Sequence, residues 1–296
     1  MLKRRSLRTL AVTVCVAFVL AACGSDDSNP VVIGSANFPE SVMLANMYAL
    51  ALEEIGVDVE VRTNIGSREV YFRALQQGEI DIFPEYTGSL LNFLSDGPLE
   101  ETGTQALIAA LRDLLGPDIA VLEPSLAENR NGLVITRALA NRLGITTTSQ
   151  LAEFADELVA GGAPETRERA DGLPGYERVY GITFADWIDL DPGGPLTVSA
   201  LTNGDIDVAR LFTSMGIIAA SDWVVLEDDG GLIPSENIVP VVRAGVLTDE
   251  IRTVLNAISA ALTLDELIEL NRRVEIDNED PDLVAKEWLI AKGLRS

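Results

Sequence analysis

Apolar positions along the chain change period several times, and the changes mark out two similar halves. Val31-Val32-Ile33 is a short unbroken apolar run before Gly34-Ser35, the pattern of a strand buried on both faces. From Pro39-Glu40 onward, Val42, Leu44, Ala45, Met47, Tyr48, Leu50 and Leu52 recur at three and four residues, which predicts a helix stopped by Gly56. Val57, Val59 and Val61 then alternate with Asp58, Glu60 and Arg62, a strand pattern. A second helix, with Ser67 as its candidate cap, runs through Gln77 to Gly78, and Ile80-Asp81-Ile82-Phe83 reads as a third strand. Strand, helix, strand, helix, strand is the signature of a mostly parallel sheet covered by helices.

The alternation restarts near Ile119. Ile119-Ala120-Val121-Leu122, Leu133-Val134-Ile135, Ile206-Asp207-Val208, Trp223 to Leu226 and Ile238 to Val242 read as strands. Helices are expected near Thr148 to Leu158, Gly175 to Tyr180, Asp249 to Leu262, Leu264 to Arg273 and Leu283 to Lys292. Asp280-Pro281 sets a capping residue and a first-turn proline before the last of these.

One internal repeat ties the halves together. Ala74-Leu75-Gln76-Gln77-Gly78-Glu79-Ile80-Asp81-Ile82 precedes Tyr86-Thr87, and Ala200-Leu201-Thr202-Asn203-Gly204-Asp205-Ile206-Asp207-Val208 precedes Phe212-Thr213. The aromatic-threonine pair stands at the same offset from the glycine in both. Ligands of open parallel sheets bind beyond the carboxyl ends of the strands, so two such sheets facing each other aim Tyr86 and Phe212 into one cleft.

The amino-terminal segment has a different character. Lys3, Arg4, Arg5 and Arg8 precede an apolar run from Leu10 to Leu20 and then Leu20-Ala21-Ala22-Cys23. A basic start, a short apolar stretch and small residues before a cysteine read as a secretory signal over 1–22. The apolar run is about half the ~20 residues that a membrane-spanning helix requires. The Leu-Ala-Ala-Cys stretch resembles a bacterial lipobox, which implies cleavage before Cys23, acylation of that residue, and a polar tether over 23–30.

Composition then removes whole classes of chemistry. The chain of 296 residues has no histidine and two cysteines, of which Cys15 lies in the signal and Cys23 is assigned to lipid. Zinc sites built on His and Cys, and nucleophiles activated by histidine, are excluded, and no enzyme activity or cofactor is expected. The formal charge of -24 disfavours nucleic acid as a partner. The acidic group Asp277, Glu279, Asp280 and Asp282 lacks calcium-loop spacing and reads as a solvated helix start, so no metal site is expected.

Five stretches together resemble one family, the substrate-binding lipoproteins of ABC importers for glycine betaine, choline and related osmoprotectants. They are Gly34-Ser35-Ala36-Asn37-Phe38-Pro39-Glu40-Ser41, Gly78-Glu79-Ile80-Asp81-Ile82-Phe83-Pro84-Glu85-Tyr86-Thr87-Gly88-Ser89, Arg169-Ala170-Asp171-Gly172 with Gly175-Tyr176 and Tyr180-Gly181, Gly204-Asp205-Ile206-Asp207 with Phe212-Thr213-Ser214, and Asp280-Pro281 with Val284-Ala285-Lys286-Glu287. The Pro-Glu-Tyr-Thr-Gly stretch is the most specific. The resemblance implies an α/β, two-lobed periplasmic-binding-protein-like fold (type II) with a two-segment hinge. Lobe 1 is then expected over 31–127 plus 236–296, and lobe 2 over 128–235. It further implies a protein held outside the cytoplasm on the cell membrane by Cys23, passing a quaternary ammonium solute to a permease and its ATPase. The same fold binding a non-betaine polar solute, or sensing a ligand for a membrane receptor, stands as the alternative.

A quaternary ammonium has charge but no N–H, so aromatic faces hold it best, while arginine and hydroxyls suit a carboxylate tail. By resemblance, Tyr86 and Phe212 take box positions, Ser89 a hydroxyl position and Arg169 the carboxylate-binding position, with Thr87 and Thr213 beside the rings. Asn37 stands where the family often has lysine. Asn131 and Glu236 stand where it has further box tyrosines, so two of four rings are expected to be missing and an amide and a carboxylate gained.

Overall fold

The computed structural model describes residues 29–95 and 103–296. The signal segment, the cleavage site and Cys23 lie outside the described residues.

The first half runs β1 (Val31–Gly34), α1 (Pro39–Glu54), β2 (Val59–Arg62), α2 (Arg68–Gln77), β3 (Ile82–Tyr86), α3 (Thr87–Leu94), α4 (Thr104–Leu115) and β4 (Ile119–Val121). The second half runs β5 (Asn131–Thr136), α5 (Arg137–Leu143), α6 (Thr148–Leu151), β6 (Val159–Gly162), α7 (Leu173–Tyr180), β7 (Asp186–Asp189), α8 (Pro195–Asn203), β8 (Val208–Phe212), α9 (Gly216–Ala220) and β9 (Trp223–Val225). The chain then returns through β10 (Ile238–Arg243), α10 (Asp249–Ala261), α11 (Leu264–Glu275) and α12 (Pro281–Ala291).

These strands make two five-stranded sheets, ordered β2-β1-β3-β10-β4 and β7-β6-β8-β5-β9. Both are mixed, and the expectation of mostly parallel sheets is refined in the same way in each. β10 is antiparallel to both its neighbours, β3 and β4, and β5 is antiparallel to both of its own, β8 and β9. The reversed strand is in each case the one that follows a crossing between the sheets. The two crossings touch at an antiparallel bridge between Glu128 and Asn237. Pro84 and Pro240 face each other across β3 and β10, so the two missing N–H groups fall on one rung of the ladder.

The Gly-x-Ile-Asp repeat has a structural cause. Gly78 and Gly204 close α2 and α8 at φ 76° and 77°, a left-handed conformation that glycine adopts without cost. The aspartate three residues on then starts the sheet. Asp81 Oδ2 accepts the Val32 N–H at 2.9 Å, and Asp207 Oδ2 accepts the Val159 N–H at 3.0 Å. The strands that follow begin two residues later than hydrophobicity suggests, at Ile82 and Val208, and reach Tyr86 and Phe212 as their final residues.

Several elements differ from the pattern. The helix expected over Thr148 to Leu158 is a single turn, α6, followed by a separate 3₁₀ turn at Ala155–Glu157. The Ser67 hydroxyl does not cap α2; it donates to Glu69 Oε2 at 2.5 Å. The Asp280 cap is as expected, accepting from the Asp282 N–H at 3.0 Å with Pro281 in the first turn. Apolar side chains fill both faces of each sheet. Met43, Leu44, Met47 and Tyr48 of α1 meet Trp288 and Leu289 of α12 on one face of the first sheet, and Phe72, Leu107 and Leu111 cover the other. Trp187 and Trp223 pack in the two layers around the second sheet.

Candidate functional site

A cavity of about 50 Å³ lies where the carboxyl ends of β3 and β8 face each other. Asn37, Phe38, Arg68, Tyr86, Ser89, Asn131, Arg169 and Phe212 are among its walls. At ~10–15 Å³ for one water, it has room for a few waters. Of the residues expected from sequence, the structure gathers Asn37, Tyr86, Ser89, Asn131, Arg169 and Phe212 here. Phe38 is an addition: its ring lies 4.9 Å from that of Phe212 and 6.1 Å from that of Tyr86, both tilted by about 40° (39° and 38°). Phe38 thus joins the aromatic residues of the two sheets into one wall.

Glu236, Thr87 and Thr213 are not among the residues that line this cavity. Glu236 is 1% exposed and lies behind Ser89, accepting from Ser89 Oγ at 2.5 Å and from its N–H at 2.9 Å. Gly88 permits this approach, because a Cβ there would lie 2.3 Å from the Pro234 ring and 2.8 Å from the Ser235 carbonyl. Burial pushes the Glu236 carboxyl up to about 7, against the lowering effect of the Ser89 hydrogen bonds. The Thr87 hydroxyl donates to the Ser235 carbonyl and accepts from the Asn237 N–H, fixing the return crossing. Thr213 Oγ1 accepts the Arg130 N–H at 2.9 Å and borders a separate cavity of about 170 Å³.

Two polar clusters anchor the rings. Glu40, 3% exposed on α1, accepts from Tyr86 Oη at 2.6 Å, Asn129 Nδ2 at 2.7 Å, Ser214 Oγ at 2.6 Å and Asn271 Nδ2 at 2.6 Å. Burial and then the Glu40 carboxylate raise the Tyr86 phenol well above its usual range, so it stays a donor. Glu85, fully buried next to Tyr86, accepts from Arg68 Nε and Nη2 at 3.1 and 3.0 Å, from Tyr71 Oη at 2.9 Å and from the Tyr86 N–H at 3.0 Å. Tyr71 in turn stacks on Phe83 at 3.8 Å between centroids.

On the opposite wall, Arg169 reaches over to Glu69 of α2 at 3.1 Å and also lies 3.8 Å from Glu165. Asp171, next along the Arg-x-Asp-Gly stretch, pairs with buried Arg210 at 2.7 Å. Burial works against its charge, but Arg210 and then Arg169 and Arg68 outweigh it and hold its carboxyl below the usual range. The Asn131 amide makes only a 3.5 Å contact to Asp171, leaving it to face the cavity.

The sequence pattern missed Phe38, Glu40, Arg68 and Asn129 as parts of the site. Phe38 and Glu40 lay inside a recognised stretch without an assigned role. Arg68 had no signal, because its partner Glu85 lies 17 residues away on another element.

Among the described residues, no helix is long and apolar enough to cross a membrane. Residues 29–291 match the family described as the substrate binding domain of ABC-type glycine betaine transport systems. The glycine-betaine-binding protein of Pseudomonas aeruginosa is 30% identical over 96% of this chain and 94% of its own. The glycine betaine-binding protein YehZ of Escherichia coli (strain K12) is 27% identical over 90% of this chain and 92% of its own. Among solved structures, a glycine betaine/carnitine/choline ABC transporter protein superposes with TM-score 0.72 at 24% identity, covering 89% of this chain and 99% of that one. With its two facing sheets, paired crossings and matching motifs, the chain belongs to the family of substrate-binding domains of ABC-type glycine betaine transport systems.

Proposed function

We propose that this protein captures a quaternary ammonium solute of the glycine betaine class between its two lobes and delivers it to the permease and ATPase of an ABC importer. The observation that carries this reading is the meeting of Phe38 and Tyr86 from one side with Phe212 from the other, at a cavity that Arg169 also borders. Each ring face is worth ~0.5–2 kcal/mol to a desolvated cation. Phe38 supplies a third aromatic ring to the same wall.

The lobes are taken as 31–127 with 236–296, and 128–235. The contacts Phe38–Phe212, Arg169–Glu69 and Glu40–Ser214 all span them and describe a closed cleft. A solute enters when these contacts part and is enclosed when they reform, so ligand binding and closure share one free energy. Lipidation at Cys23 would anchor the domain to the cell membrane, outside the cytoplasm. Loss of membrane association in a Cys23→Ser chain checks that part.

Calorimetry on the chain from residue 24 onward, which holds every described element, tests the solute class. Glycine betaine, choline, carnitine, proline betaine and uncharged polar solutes form the panel. Saturable binding of at least one quaternary ammonium, weakened by about tenfold or more in Tyr86→Ala, is expected. Binding of uncharged solutes alone would contradict the proposal.

A further inference from the structure

Besides Arg169, the cavity is lined by a second cation, Arg68, which pairs with Glu85. We propose that Arg68 is a second carboxylate anchor, so that the solute is a zwitterion with a carboxylate tail and Arg68 sets its preference over a carboxylate-free cation such as choline. This deepens the quaternary ammonium reading and rests on it.

Arg68 opens α2, is 6% exposed and lines the cavity. Its Nε and Nη2 hold Glu85 side-on at 3.1 and 3.0 Å, which fixes the guanidinium plane. Nη1 takes no protein partner among the described residues and is not one of the side-chain atoms buried without a partner, so it stays open to the cavity, where water or a ligand can accept from it. A trimethylammonium head has no acceptor to offer, and a carboxylate has four lone-pair sites.

Placement supports the same conclusion. Arg68 stands on the first-sheet side of the cavity and Arg169 on the second-sheet side, so one carboxylate meeting both would bridge the lobes. The charge balance fits as well. Glu85 pairs with Arg68, and Glu69 and Glu165 lie against Arg169, so these groups carry one net negative charge while still presenting directed N–H groups. A zwitterion, whose cationic head answers that charge and whose carboxylate takes the N–H groups, suits them better than a bare anion. The rigid side-on pair also means that Arg68 needs no rearrangement to donate, whereas Arg169 must share itself with Glu69.

The test is calorimetry with glycine betaine, choline and proline on the wild-type chain from residue 24 onward and on Arg68→Gln. Arg68→Gln leaves Glu85 buried without a cation, so Arg68→Gln/Glu85→Gln, which removes both charges, is measured beside it. Wild type is expected to bind glycine betaine at least about tenfold more tightly than choline. The variants are expected to shrink that ratio by about tenfold, with choline as the reference for any loss that acts through Tyr86, whose N–H Glu85 accepts. A purely structural role would weaken both solutes alike and leave the ratio unchanged, which would overturn the proposal. So would a wild-type preference for choline. If wild type binds proline but no quaternary ammonium, and the double variant loses proline, the quaternary ammonium reading falls while the Arg68 assignment stands.

Discussion

Glu40 on α1 accepts a 2.6 Å hydrogen bond from the hydroxyl of Ser214, which lies beyond β8 on the other side of the cleft. The same carboxylate accepts from the Tyr86 phenol, so one buried group links a ring that lines the cavity to the facing half of the chain. Asn271 strengthens the connection by donating both to Glu40 Oε2 and to the Ser214 carbonyl. Lobe closure and the orientation of Tyr86 are therefore parts of one hydrogen-bonded cluster.

Glu40→Gln replaces one acceptor oxygen with a donor amide and strands about two of the four donors. Hydrogen bonds to a charged acceptor are worth ~1.5–3 kcal/mol each, so a stability loss of about 2–4 kcal/mol is expected in urea unfolding. Solute affinity should fall with it, by about tenfold, because the contact to Ser214 exists only when the lobes meet. Unchanged affinity in a folded Glu40→Gln chain would separate the cluster from closure.

Phe38 touches both other rings, and Phe38→Leu keeps the apolar volume but removes the π face. The expected loss is ~1–2 kcal/mol of binding, equal for glycine betaine and choline because their cationic heads are the same. Calorimetry with the two solutes reads it. This outcome contrasts with Arg68, whose loss should discriminate between them.

Gly216 sits at the start of α9 against α11, and a Cβ there would lie 2.5 Å from Arg272 Cα and 2.7 Å from its N. Both neighbours are backbone, so the helices must separate. Gly216→Ala is expected to hold the lobes apart, raising the radius of gyration in solution scattering and weakening the solute. Little change in thermal stability is expected, since each sheet keeps its own core. A closed scattering profile would count against α9–α11 as a closure contact.

Stability should fall as pH rises from about 5 to about 8. Burial raises the folded-state carboxyl of Glu236 to about 7, and burial with the Glu40 carboxylate raises Glu275 to about 8. Both groups therefore hold protons in the folded state that the unfolded chain has already released. Their contribution is complete below the unfolded value, near 4.5, and is lost as pH passes through the folded values. Each group contributes on the order of 3–5 kcal/mol. Thermal melts across that range check the slope, which Glu236→Gln should flatten on its lower half.

The Gly-x-Ile-Asp repeat made the two-sheet plan legible, because a left-handed glycine and a strand-starting aspartate are local devices with local signatures. Tyr86 and Phe212 followed from their fixed offset after it. β6 could not be read in the same way. Its Gly161 and Gly162 have no strand propensity, and the space there is tight, since a Cβ on Gly162 would meet Arg210 at 3.2 Å and Trp187 at 3.3 Å. Glu236 reads as a candidate cation ligand in sequence, yet only the path of the return crossing shows that Ser89 covers it. Arg68, flanked by Ser67 and Glu69, looks like a surface residue at a helix start until the fold brings Glu85 to it.

A crystal structure with glycine betaine bound tests the central claim most directly. The trimethylammonium head should lie within about 6 Å of the ring centroids of Phe38, Tyr86 and Phe212, with the lobes closed around it. A head group seated elsewhere, with those three rings empty, would contradict the account.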